Sequence, residues 1–196
     1  MSLLFFLENT SIWMSLLTFC LLSYMRTFHV VFSIAGGAFT QITASTLKII
    51  IRQPRPYHMT ISSQPFMTTK LRKSYGMPSS HSAIFIYFAT FVSLRLFDSS
   101  LLPLNKLLSS LMVYIIALLV LWSRVELGHH TTAQVLMGMF LGIFLAMYWN
   151  DLWVNYWTPL LFELKLDGQL GFEELKIMWN FVNEFINENW FENLMI

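Results

Sequence analysis

Five apolar stretches of spanning or near-spanning length, at about residues 3–24, 28–51, 82–97, 107–122 and 131–149, dictate what this chain can become. The hydrocarbon core of a bilayer needs about 20 residues of helix to cross it. Inside lipid each backbone polar group must also find its partner within its own segment or a closed barrel. Short connections between the stretches leave a compact helical bundle as the economical solution. The expected fold is therefore all-α, an integral membrane helix bundle with about five spanning helices and an amphipathic C-terminal tail. The third and fourth stretches are short for the task unless neighbouring polar residues extend them. A composition 56% hydrophobic and 12% charged lies well outside the averages of soluble domains. No internal repeat and no low-complexity segment stands out.

The organisation follows from where the charges lie. Before residue 150 there are ten Lys/Arg and three acids (Glu8, Asp98, Glu126), whereas after it there are two Lys and eight acids. A basic transmembrane domain over residues 1–158 and an acidic amphipathic tail over 159–196 are expected. The first stretch begins almost at Met1, without a basic leader or a small-residue cleavage pattern, which reads as a retained helix rather than a removed signal peptide. Cys20 is the one cysteine, so no intramolecular disulfide can form; it reads as a packing residue.

Along the chain, Trp13, Tyr24 and Arg26 suit an anchoring helix with an interfacial edge. The second stretch carries Gly36, Gly37, Ala38, Thr40, Thr43, Ala44 and Ser45, small residues that admit close helix approach. It ends differently, with Lys48, Arg52, Pro54, Arg55 and Pro56. Lys48 and Arg55 are about two helical turns apart, and Pro54 is expected to stop the helix between them, with both cations pointing the same way. Residues 57–80 form a long polar loop whose Lys70, Arg72 and Lys73 read as a solvated patch near lipid headgroups. Pro78, Ser79 and Ser80 then precede His81 at a helix start, where free N–H groups and hydroxyls favour anions. Arg95, Asp98, Pro103 and Lys106 mark a short turn at the opposite end. Gly138 and Gly142 have the small-xxx-small spacing and are read as intramolecular packing. Trp149, Trp153, Tyr156 and Trp157 are expected to form an aromatic belt. Phe172, Leu175, Trp179, Val182 and Ile186 recur at helical spacing in the tail.

The chemistry concentrates in Ser123 to Gln134, SRVELGHHTTAQ. Gly128 turns the chain between two apolar runs. Arg124 and His130, six positions apart across that turn, can meet one anion with a guanidinium and an imidazole. Gln134 stands one helical turn beyond His130, where its amide oxygen can hold the ring in one tautomer. Two spans separate residues 48–81 from residues 123–130, so both segments lie on one membrane face. Lys48, Arg55, Ser79, Ser80, His81, Arg124 and His130 can therefore converge. Three cations and a helix N-terminus suit a phosphate whose charge grows in a transition state. Two histidines can then divide the work, one attacking phosphorus and the other handling protons. Glu126 is the only acid near these motifs, which argues against Mg²⁺-dependent chemistry. Taken singly each residue is weak evidence. A lone histidine at a helix start is more often structural, the reading given to His29, His58 and His129, and a lone lysine near lipid snorkels.

Lys48 with six residues before Arg55–Pro56, then Pro78-Ser79-Ser80-His81, then Ser123–Arg124 with five residues before His130, resembles the three-part signature of the type-2 phosphatidic acid phosphatase superfamily of lipid phosphatases and haloperoxidases. That resemblance implies His130 as nucleophile, forming a phosphohistidine, and His81 as general acid. It also implies Lys48, Arg55, Arg124 and the Ser79–Ser80 turn as phosphate holders. QPRP at 53–56, YGMPSSHS at 75–82 and SRV…HTTAQV at 123–135 look like the dolichyl-diphosphatase branch. Most of the superfamily has aspartate at the Gln134 position; in that branch glutamine is usual. Ala83 and Glu126 depart from the branch, which tends to have glutamine and an aromatic there.

The resemblance implies hydrolysis of the terminal phosphate of dolichyl diphosphate, with His130, His81 and Gln134 catalytic, recycling the carrier lipid for N-glycosylation. No metal or organic cofactor is expected. The expected partners are a polyprenyl diphosphate lipid and the bilayer, with no nucleic acid and no obligatory protein partner. Lys/Arg counts would put the motif face in the cytosol. Most of those cations belong to the site or its loop, so the resemblance decides for a multi-pass endoplasmic reticulum protein with a lumenal site. The alternatives are the same chemistry on phosphatidate or undecaprenyl diphosphate, a catalytically silent protein binding lipid phosphate, or a vanadate haloperoxidase.

Overall fold

The computed structural model describes residues 27–56 and 75–164, with Ile177 and Asn180 beyond them, and the architecture is all-helical. Helix α1 is Phe28–Ile51, α2 is Ser80–Phe97, α3 is Pro103–Glu126 and α4 is Thr132–Leu152. A π-helical turn, Trp153–Trp157, continues α4 into the short α5, Thr158–Glu163. Among the described residues four helical runs are long and apolar enough to cross a membrane: α1, α2, α3 and the continuous run Thr132–Glu163.

Each helix starts and stops where its sequence dictates. Thr27 caps α1 by accepting from Val30 N–H at 3.4 Å. At its other end Arg52 turns left-handed, φ 54°, and its N–H bonds Lys48 O, while Pro54 disfavours helical backbone at Gln53. Ser79 caps α2, and Pro103 occupies the first turn of α3, where a missing N–H costs nothing. A capping box opens α4: Thr131 Oγ1 accepts from Gln134 N–H at 3.3 Å and Gln134 Oε1 accepts from Thr131 N–H at 3.2 Å. Pro159 cannot donate to the carbonyl four residues back, and the helix widens into the π turn just before it.

Two apolar clusters hold the bundle together. Phe28, Phe32, Tyr87, Phe91, Leu145 and Trp153 join α1, α2 and the end of the α4 run. Ile86, Ala89, Ala117, Leu121 and Val135 join α2, α3 and α4. Helix α2 is central, packed most closely against α4 and next against α3. Gly138 and Gly142 face its Ser79, Ser82, Ala83 and Tyr87, so the small-residue stripe serves packing within the chain. The second stripe does likewise, with Gly36 against Tyr87 and Trp149, and Gly37 against Phe88. Polar atoms near this seam are used: Tyr87 OH donates to Ser33 O at 3.1 Å, and Trp149 Nε1–H to Phe32 O at 2.8 Å. Large apolar side chains such as Ile42, Ile50, Leu107, Leu111, Phe140 and Phe144 stay exposed, as a lipid-facing surface requires.

One reading needs revision. The expected aromatic belt is only partly one. Tyr156 is exposed, but Trp153 is buried, and Trp149, Trp153 and Trp157 all pack around Phe32. Aromatic residues at the start of α1 offered a closer partner than the bilayer edge. The short third and fourth stretches are extended by polar residues at their ends, through Ser80 in α2 and through Asn105, Lys106, Ser123 and Arg124 in α3. At the turn between them Arg95 pairs with Asp98, and Lys106 Nζ donates to Phe97 O at 2.8 Å. The stretch 3–24 with Trp13, Cys20, Tyr24 and Arg26 lies outside the described residues. So do His58, the Lys70–Arg72–Lys73 patch and the helical pattern from Phe172 to Ile186. The run Trp153 to Glu163 is helical across the division drawn at residue 158.

Candidate active site

Three segments meet at one end of the bundle: the end of α1 with Arg52–Pro56, the turn leading into α2, and the turn between α3 and α4. Backbone bonds tie them together. Gly76 N–H donates to Gln53 O at 2.7 Å, Ser79 N–H to Gln134 O at 3.0 Å, and His130 N–H to Arg124 O at 3.1 Å. Gly128, with φ 67°, lets the last turn reverse.

The polar side chains converge on this frame. Lys48 Nζ donates to Ser80 Oγ at 2.6 Å. Arg55 Nη1 reaches His129 O at 3.5 Å, while its Nε is buried with no hydrogen-bond partner among the described residues. Arg124 is buried, and its Nε and Nη2 donate to Ser123 Oγ at 3.3 and 3.2 Å. Ser123 Oγ in turn donates to Val120 O at 2.7 Å, which fixes where the guanidinium is held. Ser79 Oγ caps α2 and accepts from Ser82 Oγ at 2.9 Å. His81, the second residue of α2, is half-buried within electrostatic reach of Arg124, Lys48, His129 and Arg55.

His130 is 3% exposed, and its Nδ1 lies 3.2 Å from Gln134 Oε1. That oxygen can only accept. The Gln134 nitrogen is used elsewhere, donating to Pro54 O at 2.9 Å and to Gln53 Oε1 at 3.2 Å. The proton of the neutral ring therefore sits on Nδ1, and Nε2 keeps its lone pair. Burial lowers the pKa of His130 to about 3, helped by the positive charges of Arg55 and Lys48 and opposed by the Gln134 hydrogen bond. Burial, with Arg124 and Arg55, takes His129 down to about 4. Burial also lowers Arg55. A neutral imidazole beside the half-buried cations Lys48 and Arg55 is the state a nucleophile toward phosphate needs.

Every residue named from the sequence as a site candidate lies at this end. His29 does not: it packs against the Phe91 and Trp153 rings near the other end of α1, as a structural histidine would. Glu126 is exposed. Among the described residues no three His, Cys, Asp or Glu side chains gather as a metal-ligand set. Sequence reasoning missed Gln53, the Pro54 carbonyl, Ser82 and Gly76. A Cβ on Gly76 would stand 2.5 to 2.7 Å from the Gln134 amide atoms, so a larger residue there would push that amide off its hydrogen-bond partners. Gly76 and Ser82 lie within YGMPSSHS and Gln53 opens QPRP, so the signal was their place in those motifs, without a role attached to any of them.

The PAP2 superfamily model matches residues 26–158. The chain belongs to that superfamily. It is 33% identical over 158 residues to dolichyldiphosphatase 1 of Dictyostelium discoideum, covering 77% of this chain and 64% of that protein. It is 34% identical over 109 residues to the dolichyldiphosphatase of Saccharomyces cerevisiae, covering 55% and 44%. Lipid phosphate phosphatase gamma of Arabidopsis thaliana is 31% identical over 106 residues, covering 53% and 44%. The chain thus spans less than two thirds of the length of each of these relatives. No solved structure matches it.

Proposed function

We propose that this PAP2-superfamily chain is a membrane phosphatase that hydrolyses the terminal phosphate of dolichyl diphosphate to give dolichyl monophosphate. The observation that carries the reading is a buried His130 whose Nδ1 lies 3.2 Å from the Gln134 amide oxygen, with Lys48 and Arg55 within electrostatic reach and its backbone N–H on the Arg124 carbonyl. The names of the Dictyostelium and yeast relatives support the choice of lipid.

The reaction runs in two displacements. Lys48, Arg55, Arg124 and the Ser79–Ser80 turn hold the terminal phosphate. His130 Nε2 gives its lone pair to phosphorus, the P–O bond to the bridging oxygen breaks, and His81 protonates that oxygen as the lipid monophosphate leaves. Neutral His81 then takes a proton from water, the oxygen attacks phosphorus, and the N–P bond breaks to release inorganic phosphate and restore His130. Charge stabilisation comes from fixed cations and helix N-termini, so no metal is needed. The site faces the lumen of the endoplasmic reticulum and returns carrier lipid to N-glycosylation. The membrane domain ends near residue 158, and no obligatory protein partner is required.

A second reading keeps the chemistry and changes the lipid, as the Arabidopsis relative's name favours. Phosphate release by purified protein from dolichyl diphosphate, dolichyl monophosphate, phosphatidate and undecaprenyl diphosphate, with chelator present, separates them. Preferred cleavage of dolichyl diphosphate supports the first reading, and preference for another lipid supports the second. Release from none would leave a silent phosphate-binding pocket, and chelator sensitivity would overturn the metal-independent mechanism.

A further inference from the structure

Gln134 is 1% exposed, and its amide is engaged on every side. The oxygen accepts from Thr131 N–H and faces His130 Nδ1, both at 3.2 Å. The nitrogen donates to the Pro54 carbonyl at 2.9 Å and Gln53 Oε1 at 3.2 Å. An amide has two N–H donors and two lone pairs, so the set is complete. Turned half a revolution, the NH₂ would oppose Thr131 N–H and the oxygen would oppose the Pro54 carbonyl, leaving buried polar groups unpaired. Thr131 N–H on one side and the two acceptors of the 53–54 segment on the other therefore keep the oxygen toward His130.

Gln53 is itself held firmly. It follows the left-handed residue Arg52, and its carbonyl accepts from Gly76 N–H at 2.7 Å. Two residues later the same segment supplies Arg55, and five residues earlier α1 supplies Lys48.

We propose that Gln53 is a positioning residue: acting through Gln134, it sets the tautomer and aim of His130, so the segment that supplies two phosphate-holding cations also aligns the nucleophile. This rests on the reading of His130 as nucleophile. What position 53 must supply is a strong hydrogen-bond acceptor, which glutamate keeps, methionine replaces with only a weakly accepting thioether sulfur and alanine lacks.

The test uses the full chain in detergent, with kcat and KM for dolichyl diphosphate measured for wild type, Gln53→Ala, Gln53→Met, Gln53→Glu, Gln134→Ala, the double variant Gln53→Ala/Gln134→Ala, and His130→Ala. Gln53→Ala and Gln53→Met should lower kcat about 3- to 10-fold, the Pro54 carbonyl retaining part of the hold. Their KM should stay within about twofold of wild type, because the phosphate-holding cations are untouched. Gln53→Glu should return kcat to within about twofold of wild type. In the Gln134→Ala background, Gln53→Ala should cost less than about a further twofold, since its effect passes through the missing amide. Gln53→Met keeps the bulk of the side chain, so a folding defect in Gln53→Ala does not remove the test. Wild-type kcat in Gln53→Met alongside an inactive His130→Ala would overturn the proposal alone, as would fully additive losses in the double variant. An active His130→Ala would overturn the nucleophile reading, and the role of Gln53 with it.

Discussion

Ser79 and Gln134 are joined through their backbones, the N–H of Ser79 donating to the carbonyl of Gln134 at 3.0 Å. The start of α2, which carries Ser80 and His81, is thereby locked to the start of α4, whose side chain at Gln134 orients His130. Gly138 lies one turn further along α4, where an added Cβ would run into the carbonyl of Ser79 and stand 3.0 Å from Ser82 Cβ. Gly138→Ala should wedge the two helices apart. We expect a destabilisation of about 1–3 kcal/mol and a kcat/KM at least about tenfold lower. Thermal unfolding in detergent and phosphate release check the two together; a Gly138→Ala protein that matches wild type in both would show that this crossing has slack.

Gln134→Glu should be as damaging as Gln134→Ala, even though an acid is what the resemblance gives as the commoner residue in the superfamily. A carboxylate there would face the Pro54 carbonyl with no N–H to offer. We expect kcat about 10- to 100-fold below wild type, measured by steady-state phosphate release. Wild-type turnover by Gln134→Glu would mean that the Pro54 carbonyl does not discriminate between amide and acid.

Lys48 bonds Ser80 Oγ at 2.6 Å and is assigned to the phosphate. Lys48→Met should keep the stem packing of the lysine and lose its charge. A charge-assisted bond of about 1.5–3 kcal/mol corresponds to a fall of about 10- to 150-fold in kcat/KM. The binding of orthovanadate or inorganic phosphate, followed by calorimetry, should weaken in parallel; unchanged anion affinity would remove Lys48 from the clamp.

Acid should destabilise the protein through its histidine pair. His130 and His129 are held down to about 3 and about 4, against an ordinary 6.5. Between those values the unfolded chain binds protons that the native site refuses. Stability therefore falls as pH drops below 6.5, by at most about 1.4 kcal/mol per pH unit for each histidine. His130→Gln should flatten the slope of the thermal midpoint between pH 6.5 and 4, and a bound phosphate, which favours the imidazolium, should do the same. A slope unchanged in both cases would place the acid sensitivity elsewhere.

The helical membrane fold was legible because an apolar run of spanning length has few other uses, and Phe28–Ile51 coincides with the stretch read from the sequence. Helix ends were harder. Hydropathy stops at the first polar side chain, whereas α3 runs on through Ser123 and Arg124, which are buried within the bundle. The tryptophans misled for a related reason, since interfacial preference and packing on Phe32 draw on the same residue type. Lys48, Arg55, His81, Arg124 and His130 were readable as a group from order and spacing. Gln53 was visible only as the first residue of QPRP; its contact with Gln134 depends on the left-handed turn at Arg52, which no side-chain pattern records.

The most direct test of the account is to trap the intermediate. Protein mixed with dolichyl diphosphate labelled in its terminal phosphate, quenched in alkali within the first turnovers, should carry label that is stable to base and released by acid, as a phosphoramidate is. Peptide mapping should place that label on His130, and His130→Ala should carry none. Label on another residue, or steady turnover by His130→Ala, would contradict the assignment of His130 as the nucleophile.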